Sequence, residues 1–176
     1  MKNRNRYITV ILVIAIFVVV IGYIYTIKNK SNDFVPDYAS GTIDVNAIKE
    51  EGGKKTPAKK GSGSVNLKFS NVVAVDKKSK TAKLYFKNPN TSNKNVILFL
   101  IIRQNSEELV LGKTDLIPSG YAVYNMKLDN IDNLPVGGYK GILKTVFYDD
   151  TSNAKEIIDS EIEVSIEVKQ WEKRFS

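Results

Sequence analysis

The chain contains neither cysteine nor histidine. Disulfide bonds, thiolate metal sites, cysteine nucleophiles and histidine general bases are therefore excluded. Acid–base catalysis would have to rely on Asp, Glu, Lys or Tyr. Glu107 and Glu108 are adjacent in the sequence and would lie on opposite faces of an extended strand, which is the wrong arrangement for a paired-carboxylate site. We therefore expect no enzymatic activity, no catalytic residue and no cofactor.

One loop carries several oxygen-bearing side chains that calcium could use. They are Asp149, Asp150, Thr151 and Asn153. Calcium takes six to eight oxygen ligands, and the EF-hand loop that supplies them has a glycine at its turn and a fixed spacing. Both features are missing here. The sequence favours a solvated hairpin loop over a calcium site, and we expect no metal.

Excess basic charge is also missing from the central part of the chain. The whole chain carries a net charge of +7, but residues 64–168 hold 13 Lys and Arg against 13 Asp and Glu. The excess lies in residues 1–63 and in the basic C-terminal tail, residues 169–176. A nucleic-acid-binding domain usually has its positive charge clustered on one face. We therefore expect no nucleic-acid partner.

Residues 7–27 form an uncharged apolar run, YITVILVIAIFVVVIGYIYTI. A helix of this length spans about 31 Å, which matches the roughly 30 Å hydrocarbon core of a bilayer. The run is longer than the apolar core of a cleaved signal peptide, so an uncleaved signal-anchor is favoured over that alternative. Residues 1–6 carry Lys2, Arg4 and Arg6, and the positive-inside rule places them in the cytoplasm. The sequence thus predicts a single-pass cell-membrane protein with an extracytoplasmic C-terminal domain.

Residues 28–63 resemble an extracytoplasmic linker, because they are rich in Gly, Ser, Pro and Lys. Residues 41–53, GTIDVNAIKEEGG, interrupt that composition. Apolar and polar residues alternate there, as in a short strand, and such a strand is stable only when added to a sheet edge. The edge can belong to this domain or to a partner, and disorder is the third alternative. In the second case the segment would be a docking peptide consisting of Ile43, Asp44, Val45, Asn46 and Ala47.

From Val65 onward the apolar residues recur with a period of two, which predicts strands with one buried face. The pattern is clearest in the segments 82–86, 122–128 and 162–168. Residues 96–102, VILFLII, are apolar on both faces, so we expect a central or covered strand. Turn-forming residues separate about seven such segments. Residues 64–168 are therefore expected to form an immunoglobulin-like antiparallel β-sandwich.

Several aromatic residues of the β-domain could form a recognition patch, because tyrosine is enriched at protein interfaces. Core packing explains most of them equally well. The residues expected to form such a surface patch are Tyr121, Tyr139 and Tyr148.

Four short motifs follow one another along the chain. They comprise Asp44, Asn46, Ala47 and Gly52; Asn88, Pro89 and Asn95; Leu116, Ile117, Pro118 and Gly120; and Leu134, Gly137 and Tyr139. In this order they resemble a family of small, uncharacterised, single-pass surface proteins of low-GC Gram-positive bacteria. The resemblance covers roughly residues 5–168 and implies a surface-exposed accessory module with no assigned activity.

These observations predict a protein that acts by binding. The first hypothesis is an accessory subunit or adaptor of a surface assembly, such as an adhesin, pilus, secretion or conjugation apparatus, with a protein partner. The alternative is a wall-proximal module that binds a carbohydrate or another small ligand. The lipid bilayer, reached through residues 7–27, is the other expected partner.

Overall fold

The computed structural model describes residues 34–50, 67–104 and 107–170. This part of the chain is β-structure without a helix, as the sequence predicts. Its nine strands are β1 (Ala47–Lys49), β2 (Lys68–Phe69), β3 (Val72–Asp76), β4 (Thr81–Lys87), β5 (Lys94–Gln104), β6 (Glu107–Lys113), β7 (Tyr121–Lys127), β8 (Gly137–Asp149) and β9 (Lys155–Lys169).

All nine strands belong to one hydrogen-bonded sheet. Eight follow the order β1-β7-β4-β3-β9-β8-β5-β6, and β2 pairs with β4 beside this path. The pairs are antiparallel except for β3 and β9, which run parallel from Val72↔Ser165 to Asp76↔Lys169. The prediction of a purely antiparallel arrangement is therefore wrong at one position. β3 and β9 are far apart in the chain, so local periodicity carries no information about their relative direction.

The sheet is curled, and β6 returns towards the end of β7. The backbone N–H groups of Asp129 and Asn130 both donate to the carbonyl of Leu111, at 2.9 and 3.1 Å. Leu111 is the extra residue of a bulge, because Leu100 pairs with Gly112 while Ile101 pairs with Val110. A bulge bends its strand and increases the local twist. It turns the edge of the sheet inward here, and the Leu111 side chain is fully buried.

The core lies on the concave side of this sheet and draws on nearly every strand. Its members include Val75, Phe86, Leu98, Leu143 and Ile166, all at most 1% exposed. The alternation predicted for residues 82–86 is confirmed, since Ala82, Leu84 and Phe86 are all buried. In the predicted segment 162–168, Val164, Ile166 and Val168 are buried, while Ile162 is only partly buried against the core.

Strand β5 is buried on both faces, as its uninterrupted apolar sequence predicts. Val96, Leu98, Leu100 and Ile102 point into the core, while Ile97, Phe99 and Ile101 are buried outside that cluster. β5 lies between β8 and β6 in the sheet order. Burial on both faces explains why no polar residue interrupts residues 96–102.

Strand β7 departs from the predicted alternation. The two-residue period over residues 122–128 places Tyr124 on the buried face with Ala122 and Met126, but Tyr124 is 42% exposed, and Val123 lies in the core instead. The pairing of β4 with β7 shifts between Lys83 and Phe86. Ala82 pairs with Met126 and Phe86 pairs with Val123, so β7 covers this interval with one residue fewer than β4. Val123 therefore shares the buried face with Met126, as a one-residue slip would cause in a regular ladder.

Candidate functional site

Residues 37–50, within the predicted linker, are fastened to the β-domain. The segment first lies beside the β8–β9 connection, where the Ala39 N–H donates to Asn153 O and the Lys155 N–H donates to Asp37 O. It then runs beside Leu116, whose N–H donates to Thr42 O and whose carbonyl accepts the Asp44 N–H. Residues 37–50 therefore belong to the same compact unit as the β-domain.

The segment ends as the edge strand β1. Ala47, Ile48 and Lys49 pair antiparallel with Val123, Ala122 and Tyr121 of β7. The Glu50 N–H extends this ladder by donating to Gly120 O at 3.1 Å. Of the three alternatives for residues 41–53, the structure places residues 41–50 on the edge of their own domain. Residues 51–53 lie outside the described residues.

The five residues of the candidate docking segment differ in exposure. Asp44 is buried, Asn46 and Ala47 are half-buried, and Ile43 and Val45 are 48% and 91% exposed. Ile48, the next apolar residue, is 58% exposed. The segment therefore presents a row of apolar side chains to solvent while its backbone is paired. A docking role for these residues stays a prediction.

Asp44 organises the bend that precedes β1. Its Oδ1 accepts the N–H of Asn46 and its Oδ2 accepts the N–H of Asp115, both at 2.8 Å. The first bond closes a local turn of the kind that aspartate favours, and the second ties the turn to the loop before Leu116. The aspartate of the first motif, Asp44, thus has a structural role, because its carboxylate satisfies two backbone donors.

A polar cluster fixes the other end of β1. The Glu50 carboxylate accepts hydrogen bonds from the Lys87 ammonium, from Tyr124 Oη at 2.9 Å and from Tyr85 Oη at 3.4 Å. The rings of Tyr85 and Tyr124 contact each other with centroids 5.4 Å apart and planes inclined by 48°. We call Glu50, Tyr85, Lys87 and Tyr124 the Glu50 cluster. It connects the N-terminal segment to β4 and β7.

The Glu50 cluster shifts the titration of its members. Hydrogen bonding from Lys87, and then from Tyr124, lowers the pKa of the Glu50 carboxyl. The same carboxylate raises the pKa of the Lys87 ammonium. The Tyr124 pKa is raised chiefly by its hydrogen bond to Glu50, and the Tyr85 pKa chiefly by burial. The cluster is therefore most stable with a charged glutamate and a charged lysine.

The structure does not support the predicted tyrosine patch. Tyr148 is fully buried, so it cannot belong to a surface patch. β8 is covered on both faces at that point, a condition that periodicity does not reveal. Tyr121 and Tyr139 are half-buried against the core, and Tyr139 Oη donates to Pro135 O at 2.8 Å. An aromatic contact that the sequence analysis missed is Tyr85–Tyr124, in which Tyr124 is exposed and Tyr85 is half-buried.

Two of the four short motifs of the sequence analysis meet in space around Asn88. Its buried side-chain amide donates to Lys94 O at 2.8 Å and to Ile117 O at 3.0 Å. The Gly120 N–H donates to Asn88 O at 2.8 Å, and Gly120 itself has a φ of 82°, which favours glycine. The Asn88-Pro89 and Leu116–Gly120 motifs thus hold two loops together. These residues therefore have a structural role that requires no ligand.

The Asp149 loop is organised by its own protein groups. Asp149 Oδ2 accepts Lys94 Nζ at 2.9 Å, while its Oδ1 accepts the N–H groups of Thr151 and Ser152 at 3.1 and 3.0 Å. Lys94, followed by these backbone donors, holds the pKa of the Asp149 carboxyl well below its usual range. In the part of the chain that the structure describes, no three Asp or Glu residues are grouped as metal ligands.

Two open grooves lie on the β-domain. The first, of about 420 Å³, is bordered by Asn71, Arg103, Lys140, Ile142 and Glu163, among others. The second, of about 500 Å³, lies beside the connection between β7 and β8. Its polar lining consists of Asp129, Asn130, Asp132, Asn133 and Tyr139. Both grooves are open to solvent and combine charged with apolar side chains.

Residues 7–27, predicted to cross the membrane, lie outside the described residues, as do residues 51–66 and the tail from Trp171. Within the described ranges, no helix has the length and apolar character needed for a membrane span. No model of a known protein family matches the chain, and no curated protein matches it.

Proposed function

We propose that the chain is a membrane-anchored, extracytoplasmic protein-binding module that serves as a subunit or adaptor of a cell-surface assembly. Residues 7–27 would anchor it, with residues 1–6 in the cytoplasm. The apolar run and the flanking charges support this topology. The resemblance to small Gram-positive surface proteins supports the accessory role.

One structural observation carries the binding proposal. Ile43, Val45 and Ile48 expose apolar side chains on a segment whose backbone is paired with the domain. Single exposed apolar residues are common, but three of them within six positions concentrate apolar side chains on one short segment, as surfaces that bind partners do. Because the segment is already ordered, binding to it would cost little conformational entropy.

An immunoglobulin-like sandwich remains our proposal for the finer architecture. β3 lies between β4 and β9 in the strand order. The two layers of the proposed sandwich would be β1-β7-β4-β3 and β3-β9-β8-β5-β6, with β3 shared between them. Side chains from both groups, such as Phe86 and Leu98, contribute to one core cluster. This agrees with two layers that pack face to face.

The binding proposal is tested with Val45→Asp and Ile48→Asp in the tagged full-length chain. In cross-linked membranes, we expect this double variant to lose the protein partners that the unaltered chain retains. Val136→Asp is the matched control, because Val136 is 59% exposed elsewhere on the domain. An unchanged partner set for the double variant would contradict the proposal.

The topology is tested separately. Protease added to intact, wall-stripped cells should remove a C-terminal tag and leave an N-terminal tag protected. A protected C-terminal tag would refute the orientation without bearing on the binding surface.

The second groove favours an alternative function, the recognition of a carbohydrate or another small ligand. Its lining combines carboxylates, amides and a tyrosine, which are typical partners of sugar hydroxyls. Several of these groups are already engaged, because Asp132 binds Lys80 Nζ at 2.6 Å and Tyr139 donates to Pro135. Saturation-transfer NMR with wall glycan fragments, compared between the unaltered chain and Asp129→Ala, decides this alternative.

A further inference from the structure

Strand β9 is paired along its full length on one side only. β8 accompanies it from Lys155 to Val168, whereas β3 covers its other side only from Ser165 to Lys169. No strand of the described part lies beside residues 159–163 on that second side. An unpaired sheet edge of this kind is a template for a further strand.

The backbone N–H and C=O groups of every second residue of β9 point away from β8, towards the unpaired side. The Ser165 N–H donates to Asn71 O and the Lys169 carbonyl accepts the Lys77 N–H, so odd-numbered residues face the β3 side. Backbone groups alternate along a strand. The N–H and C=O groups of Asp159, Glu161 and Glu163 therefore continue the same line beyond the end of β3.

An irregular bulge of three residues at the start of this edge exposes two isoleucines. Val146 pairs with Asp159 and Tyr148 pairs with Lys155, so Glu156, Ile157 and Ile158 together oppose the single residue Phe147. Ile157 is fully exposed and Ile158 is 67% exposed. The interior does not use these side chains, which leaves them available to an incoming apolar group.

The edge also carries a row of carboxylates on one face. Asp159, Glu161 and Glu163 alternate with Ser160 and Ile162, and the positions pair regularly with β8. Lys144 of β8 contacts Asp159 at 3.3 Å and Glu161 at 3.7 Å, and Arg103 of β5 contacts Glu161 at 3.5 Å. Both cations belong to strands on the β8 side of β9, away from the open edge. A strand added beside β9 would place its own side chains directly opposite the carboxylates.

This charge pattern argues against a second copy of the chain as the occupant. A two-fold antiparallel pairing of β9 centred on Ser160 sets Asp159 against Glu161 of the other copy. The same pairing centred on Glu161 sets Glu161 of one copy against Glu161 of the other. Like charges directly opposite each other destabilise a pair of strands. In these two registers, which pair the regular part of the edge with itself, like charges disfavour a second copy, whereas basic side chains on an added strand would be favoured.

We propose that the β9 edge over residues 157–163 is a strand-addition site for an extended segment of a partner protein that carries Lys or Arg at alternate positions. The partner's backbone extends the ladder beyond β3, its basic side chains face Asp159, Glu161 and Glu163, and an apolar residue contacts Ile157 and Ile158. This site is distinct from the β1 surface, since β1 occupies one end of the strand order.

The test uses the full-length chain in detergent and two fluorescent seven-residue peptides. Both peptides have valine at odd positions, and they carry either lysine or glutamate at the even ones. We expect the lysine peptide to bind and to slow hydrogen exchange at the amides of residues 159, 161 and 163. We expect the glutamate peptide to bind on the order of tenfold more weakly. Non-specific attraction would predict the reverse preference, because the chain carries a net charge of +7.

A charge reversal with a matched control locates the effect. Glu161→Lys combined with Glu163→Lys should shift the preference to the glutamate peptide. Glu167→Lys alters the same face of β9, but β3 already occupies that part of the edge through Ala74↔Glu167. This control should keep the lysine preference. Glu161→Pro removes an outward N–H and should therefore weaken the binding of the lysine peptide. The domain should still fold, because proline is tolerated on a free strand edge.

Three results would overturn the proposal. They are equal binding of the two peptides, exchange protection away from residues 157–163, and concentration-dependent dimerisation of the unaltered chain through β9 in sedimentation experiments. None of these results bears on the Val45 and Ile48 surface, so failure here and failure of the proposed function can be distinguished.

Discussion

At the scale of single residues, two buried threonines beside Leu98 differ in their hydrogen bonding. Thr114 Oγ1 accepts the Leu98 N–H at 3.0 Å, and the Thr114 N–H donates to Leu98 O. Thr145 pairs with Leu98 from β8 and is completely buried, yet its Oγ1 has no hydrogen-bond partner. A buried hydroxyl without a partner costs free energy that a methyl group of similar shape avoids.

We therefore predict opposite effects for two identical substitutions. Thr145→Val should increase the free energy of unfolding by about 1 kcal/mol, because it removes an unsatisfied hydroxyl. Thr114→Val should lower it by about 1–3 kcal/mol, because the Leu98 N–H loses its acceptor inside the core. Urea unfolding of both variants checks this pair. A loss of stability in Thr145→Val would show that its hydroxyl has a partner after all.

The Glu50 cluster predicts a defined pH dependence. The folded-state pKa of Glu50 is lowered, so its contribution to stability is present above the ordinary glutamate pKa of 4.5. It is lost as the pH falls through the lower folded-state value. The raised Lys87 pKa adds a contribution that is present below the ordinary lysine pKa of 10.5 and is lost as the pH rises through the folded-state value.

Glu50→Gln should accordingly melt a few degrees below the unaltered chain at pH 7. The difference between the two melting temperatures should shrink as the pH falls below about 4.5, where the glutamate of the unfolded chain becomes protonated. Thermal melts of both chains from pH 3 to pH 8 measure this difference in melting temperature. Glu107→Gln, an exposed residue at the start of β6, is the control and should leave the melting temperature unchanged.

At the scale of elements, the N-terminal segment completes one edge of the sheet. Strand β1 has only three residues and would not persist alone in water. Pairing with β7, the bonds to Leu116 and Asn153, and the Glu50 cluster stabilise it together. In return, β1 covers a β7 edge that would otherwise present unpaired backbone groups.

Removal of this segment should therefore destabilise the domain. We expect residues 60–176 to melt at a lower temperature than residues 31–176, because the shorter chain loses β1 and the bonds of residues 37–44. Circular dichroism melts of the two chains provide the comparison. Equal melting temperatures would mean that the segment is only loosely associated and that its pairing adds no net stability.

At the scale of the whole β-domain, the curl of the sheet depends on close packing at Gly112. A Cβ atom at this position would lie 2.4 Å from Lys127 O and 3.1 Å from Leu128 Cα. These are backbone atoms at the end of β7 and cannot move aside as the end of a flexible side chain can. The absence of a side chain at residue 112 thus allows β6 to approach β7.

Gly112→Ala should lower the free energy of unfolding by about 1–3 kcal/mol, the usual cost of overpacking. Gly138→Ala is the matched control, because a Cβ atom there meets nothing within 4 Å. That control should be close to neutral in chemical denaturation. Equal stability of the two variants would show that β6 and β7 can separate without loss.

The sequence by itself determined the β-class of the domain and the buried faces of several strands. The alternation in β4 and in the second half of β9, and the two-sided burial of β5, are properties of single strands. They follow from the two-residue period of an extended backbone, which any short stretch of sequence displays. The expectation of binding without catalysis likewise rests on composition and remains to be tested.

Only the tertiary structure decided which segments meet. It placed residues 41–50 on their own domain, aligned β3 parallel with β9, buried Tyr148 and exposed Tyr124. It also left the β9 edge over residues 159–163 without a neighbouring strand in the described part of the chain. These features depend on pairing between distant segments and on register shifts within the sheet. Local periodicity carries neither kind of information, because a strand has the same alternation whichever neighbour it acquires.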